Sequence, residues 1–268
     1  EVITNSLKPF FWRAPTDNDL GNNMPERCDI WRNAHDELIM QSLDTSIIKN
    51  IKIVNAKYFH EKSGSSIELN YKIYGNGILK IKQTLYPSGA ENPELPRFGM
   101  KVSINETFDN LEWFGRGPHE SYWDRKTSAK IDRYKGKVID QTYKYVRPQE
   151  TGNKTDIRWL ALYNGSIGLM VKGLPVFDGS VHHYDYALLD YYEGSQLHGN
   201  TDITKGNQID LIVDYKQMGV GGDNSWGAKP HYKYTLPMDT TVYNLEYALI
   251  PFNKTNELDA LSRINIDN

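Results

Sequence analysis

The chain has 268 residues, enough for a sizeable core as one large β domain or two smaller units. Its 31 basic and 34 acidic residues leave a net charge of -3, with no electrostatic footprint for nucleic acid or an anionic membrane surface. No apolar run approaches the roughly 20 residues that span a bilayer. Cys28 is the only cysteine, which excludes an internal disulfide and a thiolate metal cluster and leaves the compartment, cytoplasm or periplasm, open.

The opening residues, EVITNSLKPFFW, carry neither an initiator Met nor a signal-peptide pattern, and they read as a strand entered part-way, as in a piece of a longer polypeptide. RAPTDNDLG follows at 13–21. Asp17 and Asp19 have the oxygen ligands a hard cation wants, but the spacing continues into no EF-hand. A turn held by Asp side chains, with Arg13 paired to a carboxylate, is the plainer expectation. Asn22, Asn23, Met24 and Pro25 then offer a cap with Pro near the first helical position, and Ile30, Trp31, Ala34 and Leu38 follow helical spacing.

Beyond that point alternation dominates. Residues 47–59 read as a strand, and 66–74 places Ile67, Leu69, Tyr71 and Ile73 on one face. Asn76-Gly77 is a hairpin signal, and 78–86 returns with the same period. Further strands are expected over 98–108, 157–163, 167–171, 209–218, 231–236 and 242–252, with a second hairpin turn at Asn164-Gly165. Many short antiparallel strands with one or two short helices imply an all-β fold, a large antiparallel sandwich in a single domain covering 1–268. The 18 Tyr, 6 Trp and 8 Phe suit a pleated, half-buried surface, and they also suit sugars, whose C–H faces pack on rings.

Polar loops carry the remaining chemistry. GRGPHESYWDR at 115–125 follows a strand, fits no phosphate-cradling fingerprint and precedes no helix. PQETGN at 148–153 is similar. Glu120 and Glu150 have the side chains of a glycosidase pair, whose separation a sequence does not give. A structural ion-pair network with Arg116 and Arg125 is the plainer expectation. His182 and His183 point to opposite faces of a strand and so cannot share an ion without a bulge. There is no nucleophile elbow. Near the end, MGVGGDNSWG (218–227) gathers four glycines around Asp223, Asn224 and Ser225 and holds up Trp226, as a loop does that presents an indole to a flat apolar face.

Four of these segments, in order, resemble the C-terminal domain of large bacterial β-galactosidases, also found as the small chain of two-subunit forms. They are RAPTDNDLG (13–21), GPHESYWDR (117–125), YVRPQETG (145–152) and MGVGGDNSW (218–226). The resemblance implies an antiparallel supersandwich, similar to galactose mutarotases, and a retaining glycoside hydrolase acting on terminal β-D-galactosides. It places the catalytic glutamates in a separate TIM-barrel domain, which would be this chain's partner, along with any Mg or Na. This chain would have no catalytic or metal-binding residue. It would supply Trp226 to the sugar, flanked by Asp223 and Asn224, with Gly221, Gly222 and Asp223 shaping the loop. Asn224 stands where relatives often carry Asp. Arg13, Asp17, Asn18, Glu120, Arg125 and Glu150 would be structural, and the whole enzyme a homo-oligomer. Two rivals remain at this stage: a free-standing mutarotase or epimerase using His183 with Glu150 or Glu193, and a non-catalytic carbohydrate-binding module.

Overall fold

The computed structural model describes residues 1–89, 91–190, 199, 202–224 and 227–266. Twelve strands among them form one antiparallel sheet. They are β1 (Lys8–Phe10), β2 (Ile39–Ile48), β3 (Ile51–His60), β4 (Ser65–Ile73), β5 (Leu79–Tyr86), β6 (Arg97–Asn105), β7 (Asn110–Gly117), β8 (Lys130–Lys137), β9 (Lys154–Asn164), β10 (Ile167–His182), β11 (Gln208–Gln217) and β12 (Tyr243–Phe252).

The sheet forks at β10. One edge of this long strand pairs with β9, and the other takes β12 along residues 168–173 and then β11 along 178–182. From β12 the order runs outward through β5, β4 and β3 to β2; from β11 it runs through β6 to β1; and β9 carries β7 and β8. Period-two alternation explains why one sheet serves two cores. Along β9, Leu160 and Leu162 enter the large core while Trp159 and Ala161 enter a smaller one. Along β12, Leu245, Tyr247 and Leu249 face the large core, and Ala248, Ile250 and Phe252 the small one. Helix α3 (Leu258–Arg263) covers the small core with Leu258.

The hairpins at Asn76-Gly77 and Asn164-Gly165 lie where the sequence places them, joining β4 to β5 and β9 to β10. Three expectations need correction. The helical spacing after Asn22 gives α2 (Met24–Arg27) and a 3-10 turn at Asp29–Trp31 rather than one helix, and a short α1 (Asp17–Gly21) precedes them. Met24 and Trp31 are buried, so short pieces deliver the same apolar positions to the core. Residues 232–234 form a 3-10 turn, not a strand. Strands β2, β7 and β8 were not expected: β2 is exposed along nearly its whole length, and β8 is mostly charged, so neither carries a clean alternation.

Candidate functional site

The four polar segments, far apart in sequence, meet at one place. Thr16 caps α1: its hydroxyl accepts from the Asp19 amide at 3.2 Å, and Asp19 Oδ2 accepts from the Thr16 amide at 2.9 Å. Fully buried Arg13 donates to both Asp19 oxygens, at 2.6 and 2.7 Å, as the turn reading expected. The same guanidinium donates to the Met218 carbonyl and, at 3.3 Å, to that of Gly219. Asn18 Nδ2 donates to the Val220 carbonyl at 3.0 Å. The first segment therefore holds the base of the glycine loop from below.

The second segment holds it from the side. Asp124 accepts from the amides of Val220 at 3.1 Å and Gly221 at 2.8 Å. Asp223 lies at the surface and bonds His231 across the loop at 2.8 Å. Asn224 Oδ1 accepts from the Ala228 amide at 3.3 Å, bridging the loop's two limbs. A Cβ on Gly222 would fall 2.3 Å from the Ala228 carbonyl oxygen, so that limb closes only with glycine there. Trp226, like Glu193, lies outside the described residues.

Glu120 ties the second segment to the third. Its Oε1 accepts from Arg125 at 2.6 Å and from the Tyr145 hydroxyl, and its Oε2 from the Gly152 amide at 2.9 Å. Asp17 pairs with Arg147 at 3.2 Å and accepts from Gln149 at 3.2 Å. Glu150 does not join Arg116 or Arg125. It is buried on Arg97, whose Nη2 donates to its Oε2 at 3.0 Å, and it also accepts from Tyr186. Arg116 pairs instead with Asp156 at 2.6 Å. The expected single network is thus three separate pairs.

Beneath these loops the inner face of the sheet is polar. Arg97 Nε also lies 3.1 Å from Asp214, whose carboxyl is pushed up to about 8 by burial and then by the charges of Glu150 and Asp178, against the pull of Arg97. Burial, helped by Arg97, Lys154 and Lys101, holds His182 down to about 3, so the neutral ring bonds Ser180 and Tyr184 at 2.9 and 3.3 Å. Burial lowers Lys154 to about 8. His183 has Lys205 and Asp109 as its charged neighbours, whereas Glu150 has Arg97, so His183 and Glu150 are not paired; the other partner considered for a mutarotase, Glu193, lies outside the described residues. Sequence reasoning missed Asp124, Arg97 and Asp214. A signal for Asp214 existed: with Asp210 it occupies inward positions of the apolar strand β11. Among the described residues no group of three or more His, Cys, Asp and Glu side chains is placed to hold a metal ion.

Fold and site together define an antiparallel β protein whose polar rim cross-braces a glycine-rich loop. Residues 1–249 match the family described as "Beta galactosidase small chain", and the chain belongs to that family. It is 42% identical over 237 residues to a β-galactosidase of Priestia megaterium, covering 88% of this chain and 22% of that protein. It is 30% identical over 247 residues to one of Halalkalibacterium halodurans, covering 89% and 24%. The chain thus spans under a quarter of the length of these relatives. Among solved structures, galactose 1-epimerase from Lactobacillus acidophilus aligns with a TM-score of 0.47 at 8% identity, over 80% of this chain and 66% of that one.

Proposed function

We propose that this chain is the small-chain portion of a β-galactosidase that hydrolyses terminal β-D-galactosides with retention, and that it completes the sugar pocket without performing the bond cleavage. The observation that carries this reading is the bracing of the loop at 218–224 by Arg13, Asn18 and Asp124. Three side chains from two distant segments fix a short glycine-rich stretch, and such preorganisation suits a loop that must meet a ligand at a set position. The next residues along it, Ser225 and Trp226, carry the indole that stacks on the substrate or the leaving sugar in this reading.

The catalytic acid/base and nucleophile belong to a TIM-barrel partner domain, together with the Mg or Na that the family resemblance implies. Glu120 and Glu150 support this division of labour, because each is committed to an arginine rather than facing the other across open space. Retaining chemistry needs two carboxyl groups about 5–5.5 Å apart flanking the scissile bond. The whole enzyme assembles as a homo-oligomer in this reading.

Trp226→Ala in the full-length enzyme tests it. An aromatic platform contributes on the order of 1–3 kcal/mol, by analogy with base stacking. KM for lactose is therefore expected to rise about 5- to 150-fold with a smaller change in kcat. An unchanged KM and an unchanged response to added glucose acceptor would remove Trp226 from the pocket. Polarimetry on fresh α-D-galactose separates this reading from a mutarotase: the protein is expected not to accelerate anomeric equilibration.

A further inference from the structure

Strand pairing sets a row of side chains on the small-core face of the sheet. Arg133 of β8 stands opposite Phe114 of β7, Phe114 opposite Trp159 of β9, and Trp159 opposite Lys172 of β10. Opposite residues of antiparallel strands share a face, so two basic groups flank two aromatic rings. Helix α3 runs beside this row: Arg133 Nη1 reaches Asp259 at 2.9 Å, and Lys172 Nζ donates to the Ile264 carbonyl, just past the helix, at 2.5 Å. Between the row and the helix lies a cavity of about 460 Å³.

Charge in this cavity is unbalanced. Its lining sets Arg133, Arg158, Lys172 and Arg263 against a single acidic residue, Asp259, in a chain whose net charge is -3. Arg133 has carboxylate partners in Glu112 and Asp259. The other cations have none: Arg158 donates to the Asp156 carbonyl at 2.6 Å and Lys172 to that of Ile264, both neutral acceptors. Arg263 makes no hydrogen bond or ion pair among the described residues. Desolvation lowers the Lys172 pKa, with no carboxylate to hold it up. Like charges gathered without a counter-charge repel one another, and an anion among them relieves that cost. Guanidinium forks also fit the paired oxygens of a carboxylate or phosphate.

The rest of the wall is apolar. Phe114 is 37% exposed, with the Arg158 guanidinium 5.9 Å over its ring, and Pro175 is exposed beside it. Trp159, at 4% exposure, supports them from beneath. The volume falls within the roughly 300–1,000 Å³ of pockets that take small organic molecules. A bare inorganic ion would leave the apolar wall wet, and a neutral sugar would leave the cations without a counter-charge.

We propose that this cavity binds a small organic anion, a carboxylate or phosphate on a flat apolar body, with its oxygens on Arg158, Lys172 and Arg263 and its body against Phe114 and Pro175. The proposal uses no part of the sugar pocket, so either can fail alone.

Calorimetric titration of the full-length protein with phenyl phosphate and with benzoate tests it, one probe for each kind of anion. Saturable binding of at least one is expected, about tenfold or more tighter than inorganic phosphate or phenol. Saturating D-galactose is expected to leave it unchanged, which separates this cavity from the sugar pocket. Arg263→Ala, at an exposed helix position, is expected to weaken binding about tenfold, and Arg263→Lys less, because the charge stays while the fork is lost. Should Arg263→Ala not fold, Arg158→Gln is expected to show the same weakening. No saturable binding of either probe overturns the proposal, as does binding that galactose displaces or that these substitutions leave unchanged. A crystal of the full-length protein in which another part of the chain fills the cavity overturns it too.

Discussion

The outer hairpins β2 to β5 and the loops that meet over β11 are built from different materials. Along β4, apolar residues alternate with polar ones and the packing is ordinary: Ile67 and Leu69 enter the core while their neighbours stay partly exposed. Edge strand β2 leaves Leu43 at 56% and Ile47 at 74% exposure. In the loops, charge is buried instead. Arg13, Asp19 and Glu150, with Arg97 of β6 and Asp214 of β11, are all at 1% exposure or less, and the bonds from Asp124 and Arg13 that hold the glycine loop join residues 96 to 206 positions apart. A fold can tolerate loose edges in the first region because nothing depends on their position. The second region gives up desolvation energy to hold one loop in one place.

The largest effect that separates the two is expected at Arg13. Arg13→Met strands the buried Asp19 carboxylate and unpairs the carbonyls of Met218 and Gly219. Chemical denaturation is expected to register a loss of about 3–5 kcal/mol. A loss below 1 kcal/mol would mean that the buried pair is not what braces the loop. Asp124→Ala removes a charged acceptor from two backbone amides and is expected to cost about 1.5–3 kcal/mol. In the full-length enzyme it should also reproduce part of the KM rise of Trp226→Ala, and the two substitutions together should raise KM less than their product. Multiplicative effects would uncouple the brace from the ring.

Acidity probes the same polar region. The folded value of His182, about 3, lies below its ordinary 6.5, so the unfolded chain takes the proton first. The stability from the neutral ring is present above pH 6.5 and is lost as pH falls from there toward 3, at up to about 1.4 kcal/mol per pH unit. Lys154 acts at the other end. Its folded value of about 8 lies below 10.5, so the penalty of burying its charge is present below pH 8 and is relieved as pH rises toward 10.5. Urea midpoints measured from pH 4 to 10 should therefore climb at both ends of the range. His182→Asn, which cannot take up a proton, should flatten the acid limb; if the limb persists unchanged, another group owns it. The smallest effect is expected on the hairpin side, where Ile47→Ser should stay within about 0.5 kcal/mol. A larger loss would mean that the edge of β2 is covered.

How much of this was legible depended on whether a residue's role is local. The strand from 66 to 74 and both Asn-Gly turns rest on spacings of a few residues, and each lies where the sequence puts it. The turn at 232–234 was misread as a strand because two tyrosines alternate with lysine there while the backbone turns through 3-10 geometry. At the site the four segments were recognisable as motifs, and Arg13 was correctly given a carboxylate partner. The partner of Glu150 and the anchor of the loop were not foreseeable: Arg97 is 53 positions away and Asp124 is 96 from Val220.

The sequence by itself determined the all-β class, most strand positions and, through its four ordered segments, the family. Those follow from side-chain periodicity and local turn chemistry, which act within a few residues along the chain. Only the tertiary structure decided that β10 forks the sheet, that Asp124 braces the loop from a distant segment, and that Glu150 is buried on Arg97. Desolvation and charge pairing depend on distance in space, and the chain fixes that distance only once the strands have closed around it.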